Sequence, residues 1–164
     1  VLILAVMIGN HYKMSTKGVT NMTSTMKVTG KLKEGFRVDL QAGNHLMIID
    51  QPKNAGGKDE GPNPLEVLLF ALASCHATVA AIIAKQERIN LRAFEIEIEG
   101  DIDKNFLMGK TKEGRAGFTE YRVLAHIDAD MTEEEKRDFI TRVGARCPAT
   151  DNLINNSKIV VELK

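Results

Sequence analysis

From Val67 to Ala84 the chain runs eighteen positions without a charged side chain. Asn63 and Pro64 stand just before this run, a capping side chain followed by a proline at the first helical position, where its missing N–H costs nothing. The pattern predicts a helix from Pro64 to about Arg88. No polar face interrupts it, which is the signature of a core helix covered on both sides, within one domain or across a dimer. The run approaches the roughly 18–20 residues of a membrane span. Ser74, His76, Thr78 and the alanine-rich second half favour the soluble core helix instead.

Alternation of period two marks the strands. Lys27 to Lys33 leads to a turn at Glu34-Gly35. Phe36, Val38 and Leu40 then point one way, Arg37 and Asp39 the other. A Gly43-Asn44 turn joins this strand to another over His45–Asp50, and residues 51–62 form a loop by composition. Past the long helix, Phe94, Ile96 and Ile98 alternate with Glu95, Glu97 and Glu99, so that the glutamate face meets water or basic partners across the ladder. Residues 101–117 are a polar connection, and Phe118 to Ala129 is strand-like again. Thr132 to Glu135 spells a capping box, followed by the apolar stripe Phe139, Ile140, Val143 of a short helix ended by Gly144. Lys158 to Leu163 closes as a strand. Strands, long helix, strands, helix, strand make an α+β domain over residues 26–164, with no repeat and no internal linker. Residues 1–25 read as an arm or leader. The apolar run Val1–Ile8 lacks both the basic lead-in and the cleavage pattern of a signal peptide, so the expected compartment is the cytoplasm.

Charge narrows the function. Lysine plus arginine balance aspartate plus glutamate at 22 each, leaving no basic field for nucleic acid, and tryptophan is absent. Chemistry therefore concentrates on two cysteines, Cys75 inside the uncharged helix and Cys147 before Pro148. Apolar burial disfavours a thiolate at Cys75, and its helical neighbours Ala71, Leu72, Thr78 and Val79 supply no cation. If Cys75 is a nucleophile, the cation comes from elsewhere in the fold. His76 lies about 100° around the helix from Cys75, a poor dyad geometry that suits a hydrogen-bonded core histidine. Pro148 biases Cys147 towards an extended backbone, outside regular helix and accessible. A redox pair, a structural disulfide and two unrelated thiols are the open readings. Zinc is disfavoured, since His45, Cys75, His76 and Cys147 have no recognised ligand spacing.

Two motifs narrow this further. Asn63-Pro64-Leu65-Glu66 through Ala73-Ser74-Cys75 resembles the N-P-x-E-L-L-x-x-A-x-x-x-C signature of the OsmC/Ohr family, the osmotically inducible and organic hydroperoxide resistance proteins. Cys147-Pro148-Ala149-Thr150-Asp151-Asn152-Leu153 resembles that family's second motif, C-P-x-[ST]-x-x-L. The resemblance implies antiparallel sheets wrapped around a buried helix in an intertwined homodimer. It also implies a thiol peroxidase without metal or prosthetic group, acting on organic hydroperoxides and regenerated by a dithiol such as a lipoylated protein. Cys75 is then the peroxidatic thiol, Cys147 the resolving one, and Arg37 the cation that stabilises the Cys75 thiolate. The family's glutamate partner for that arginine stands ten positions before the cysteine, where this chain has Leu65. Glu66 is the first substitute and Glu60, in the preceding loop, the second. That displacement keeps a different class of function open, a non-catalytic stress protein holding a small apolar ligand.

Overall fold

A computed structural model describes residues 23–163. The leader reading, and most of the arm at 1–25, fall outside the described residues. Two antiparallel sheets and one long helix organise the rest. The first sheet has the order β1-β2-β3, with β1 Thr29–Leu32, β2 Val38–Ala42 and β3 His45–Ile49. Gly43 makes the tight β2–β3 turn with φ of +57°, a conformation that glycine adopts without a Cβ penalty. Phe36 is not part of the strand, contrary to its alternation with Val38. The turn ends with the Arg37 carbonyl accepting from Lys33 N–H at 2.8 Å, and the Phe36 ring lies over Gly56.

The second layer begins with α1, Pro64–Glu87. Asn63 Oδ1 accepts from the N–H groups of Leu65 and Glu66, and Glu66 Oε2 accepts from Asn63 N–H, so both sides of a capping box close. Arg88 ends the helix in the left-handed region with φ of +58°. Leu72, His76, Val79, Ala80, Ile83 and Ala84 recur every three or four residues and form the buried face. That face packs on β4, Leu91–Asp101, which pairs with β5, Glu120–Ala129, beyond a short α2 at Lys104–Leu107. Of the β4 glutamates, Glu99 meets a basic partner, Arg122 of β5, which also gathers Asp101 and Glu120.

Helix α3, Glu133–Arg146, starts at the Thr132–Glu135 capping box and runs through Gly144 rather than ending there. Phe139 and Val143, both fully buried, anchor it against α1 and β5. Burial of such side chains stabilises by roughly 1.5–3 kcal/mol each, more than the ~1 kcal/mol that a helical glycine costs. The stop comes at Cys147, whose extended φ and ψ of −81° and 113° precede Pro148 and the short α4, Pro148–Ile154.

The expected closing strand does not form. Residues 158–163 join no ladder among the described residues, and Ile159 and Val161 are 86% and 89% exposed. A strand needs a partner edge, and none of the described strands of this chain pairs with this segment. The outer face of α1 is likewise open, with Phe70 57% and Ile82 43% exposed. The packed pairs of elements join α1 to β4, α3 and α4, while β1–β3 pack among themselves.

Candidate active site

Helix α1 carries Cys75 into the domain, and the α3–α4 junction brings Cys147 against it. Both thiols are free, Cys75 half-buried and Cys147 only 1% exposed. This inverts the expectation of a buried Cys75 and an accessible Cys147. Phe139 and Val143 fix the end of α3 in the core, so the junction that follows is held inside.

The two thiols lie close enough to influence each other, and their surroundings separate them. Burial pushes the Cys75 thiol up. The Ala149 N–H opposes this, but the neighbouring Cys147 sulfur adds to it. Burial also acts against the Cys147 thiolate. There the Thr150 hydroxyl, the Cys75 thiol and the N–H groups of Thr150 and Ala149 outweigh it, and Cys147 is held below its ordinary value. Thr150 Oγ1 is itself buried without a conventional hydrogen bond, and it lies close enough to Cys147 to act on that thiol.

His76, expected as a core histidine, is one and more. It is 3% exposed, and its Nδ1 lies 3.0 Å from the Leu72 carbonyl and 3.5 Å from Cys147 Sγ. The adjacent Cys75 is not its partner. Its ring also lines a largely apolar cavity of about 590 Å³ with Leu72, Phe118, Tyr121, Ile140 and Leu153. A larger recess of about 770 Å³ is bounded by Glu87, Arg88, Asp130 and Glu134, and neither cavity has a cysteine in its walls.

Arg37 belongs to a separate cluster. Its Nε donates to Asp39 Oδ1 at 2.8 Å and its Nη1 to Glu60. The two carboxylates, Asp39 first, raise the arginine's pKa further and fix it as a full cation. The loop that presents Glu60 is built on Asp50, 2% exposed, whose carboxylate accepts from the N–H groups of Gln51, Lys58 and Glu60 at 2.8, 2.9 and 3.2 Å. Burial pushes the Asp50 carboxyl up, but these N–H groups and that of Asp59 prevail and hold it below its ordinary value. Gly57 and Gly61 let the loop close, since a Cβ on either would stand within 2.2 Å of a backbone oxygen.

The described chain thus brings Cys75, Cys147, His76 and Thr150 together, and joins Arg37 to Glu60 and Asp39. No hydrogen bond or ion pair links the two groups among the described residues. Glu66 keeps its carboxylate on the Asn63 N–H. Sequence reasoning missed Asp50, Asp39 and the His76–Cys147 contact. Among the described residues, no three histidine, cysteine or carboxylate side chains cluster as metal ligands.

Comparison with known proteins bears on the family and the fold. Residues 57–164 match the family model described as OsmC-like protein. A hydroperoxide reductase of Mycoplasma genitalium is 27% identical over 143 residues, covering 87% of this chain and 96% of that one. A hydroperoxide reductase of Mycoplasma pneumoniae is 25% identical, covering 92% and 94%. The crystal structure of an OsmC-like protein from Mycoplasma pneumoniae superposes with a TM-score of 0.72 at 25% identity, covering 82% of this chain and 91% of that one.

Proposed function

This chain belongs to the OsmC-like protein family, and we propose that it is a thiol-dependent peroxidase reducing organic hydroperoxides through Cys75 and Cys147. The observation that carries the reading is the pairing of two free thiols in unlike surroundings, the more exposed one on the long helix and the closed-in one under several donors. Two relatives bearing the name hydroperoxide reductase support it.

In this scheme the Cys75 thiolate attacks the terminal peroxide oxygen. An S–O bond forms, the O–O bond breaks, and the alkoxide leaves as the alcohol after taking a proton. Cys147 then attacks the sulfenic sulfur of Cys75, releasing water and forming the disulfide. An external dithiol returns two electrons. The apolar walls beside His76 and Thr150 suit an organic peroxide better than hydrogen peroxide.

The Cys75 thiol needs a cation to ionise, and none touches it in the described single chain. We assign that role to Arg37 of a second copy. Three features support a homodimer: the bare outer face of α1, the exposed Leu46 and Met47 of β3, and the unpaired apolar segment 158–163. Covering such surfaces is what a large obligate interface does. Glu60 and Asp39 then take the place of the acid missing at Leu65, while Glu66 serves the helix cap. A cytoplasmic setting fits two thiols that return to the reduced state after each turnover.

The test is consumption of cumene hydroperoxide with dihydrolipoamide as reductant. Cys75→Ser is expected to abolish it, and retention of the wild-type rate by that variant would reject the assignment. The cavity beside His76 favours a second reading, a binder of a small apolar ligand without turnover. Mass spectrometry after one equivalent of peroxide separates the two: loss of two hydrogens and a joined Cys75–Cys147 peptide mark the peroxidase, unchanged thiols the binder.

A further inference from the structure

The Leu72 carbonyl can only accept a hydrogen bond, so the His76 nitrogen 3.0 Å from it carries a hydrogen. The same N–H reaches Cys147 Sγ at 3.5 Å, an ordinary length for a bond to sulfur, and is shared between the two acceptors. The histidine is held on two sides. It is 3% exposed, and Gly144 of α3 lies against its other edge, where a Cβ would stand 3.9 Å from Nε2. His76 Nδ1–H is thus a hydrogen-bond donor to the Cys147 sulfur, and the Thr150 hydroxyl, the N–H groups of Ala149 and Thr150 and the Cys75 thiol lie near enough to favour its thiolate. Cys75, by contrast, has the Ala149 N–H and greater exposure.

These two environments bear on a step that the cysteine pair alone leaves undefined, the direction of disulfide reduction. A thiolate attacks the sulfur it can reach, and the bond breaks faster when the departing sulfur is stabilised as thiolate. We infer that His76, by donating Nδ1–H to Cys147 Sγ, makes Cys147 the leaving group when the Cys75–Cys147 disulfide is reduced, so that the entering thiol bonds to Cys75. The inference rests on the cysteine-pair reading above. In the step, the reductant thiolate forms an S–S bond to Cys75 as the Cys75–Cys147 bond breaks, and the electron pair stays on Cys147. The second thiol of the dithiol reductant, losing its proton, then attacks the mixed disulfide and frees Cys75.

The experiment separates this step from peroxide chemistry by forming the disulfide with diamide. The oxidised protein is mixed with glutathione, quenched in acid within milliseconds, digested with pepsin and mapped by mass spectrometry. The wild type is expected to carry glutathione on Cys75 over Cys147 by at least about tenfold. His76→Phe is expected to slow reduction by about tenfold and to erode that preference, a range set by loss of one donor to a thiolate. His76→Asn, which keeps an N–H donor near the Nδ1 position, is expected to recover most of both.

A wild-type adduct on Cys147 overturns the inference, and that measurement needs no variant, so a His76→Phe protein that does not fold leaves it testable. Unchanged rate and preference in a folded His76→Phe also overturn it. Failure of diamide to join the cysteines overturns both this inference and the peroxidase reading. A joined pair with the adduct on Cys75 but no peroxide consumption overturns the peroxidase reading alone.

Discussion

Asp50 shows how one side chain holds a piece of the site that it does not touch. Its carboxylate gathers the backbone of residues 51–60, and that loop sets Glu60 against Arg37. Because the folded state holds this carboxyl below its unfolded value, its contribution to stability is fully present above the ordinary carboxylate range. It is lost as pH falls through the depressed folded value. Asp50→Asn, with one acceptor oxygen instead of two, is expected to lower stability at pH 7 and to flatten the acid limb of the curve. Urea denaturation midpoints from pH 7 down to about pH 3 read both effects; an unaltered acid limb would remove Asp50 from this role. The sequence shows an aspartate after a strand and nothing more, because its partners are backbone groups up to ten positions away. His76 was equally hard to read. Its neighbour in sequence is Cys75, but the thiol it hydrogen-bonds lies 71 positions on.

Elements were more legible where their ends carry their own signals. Asn63 and Pro64 before an uncharged run, and Thr132 three positions before Glu135, are local devices, and both helices start where these stand. Asn63→Ala removes the acceptor for two N–H groups and is expected to cost about 1 kcal/mol, read from the denaturation midpoint. Peroxide oxidation of Cys75 should be unchanged in that variant, since the cap lies about three turns from the thiol. Legibility fell where an element depends on partners. Gly144 looks like a helix stop until Val143 and Phe139 are seen fully buried beside it. The strand pattern of 158–163 is real, but alternation does not name the edge it pairs with.

For the whole molecule, the separation of Arg37 from Cys75 within the described chain has a direct test. Cys75→Ser keeps the arginine and Arg37→Ala keeps the cysteines, so each alone is expected to be inactive. If the arginine acts across a homodimer, refolding the two variants together restores one good site per mixed dimer, on the order of a quarter of wild-type activity for random pairing. No recovery would mean that the two residues do not act across an interface.

The unpaired segment 158–163 carries a further consequence, one of kinetics and concentration. If the partner edge of this segment lies on another chain, as in the proposed homodimer, its pairing completes in a bimolecular step, and the last part of folding has a rate set by how often two chains meet. Thermal midpoints should then rise with protein concentration, which a single-chain fold does not do. Until a partner arrives, Ile159, Val160 and Val161 stay in water as an open apolar edge, the kind of surface on which chains aggregate. Yield in refolding should accordingly pass through a maximum, with incomplete pairing when the protein is too dilute and misassociation when it is too concentrated.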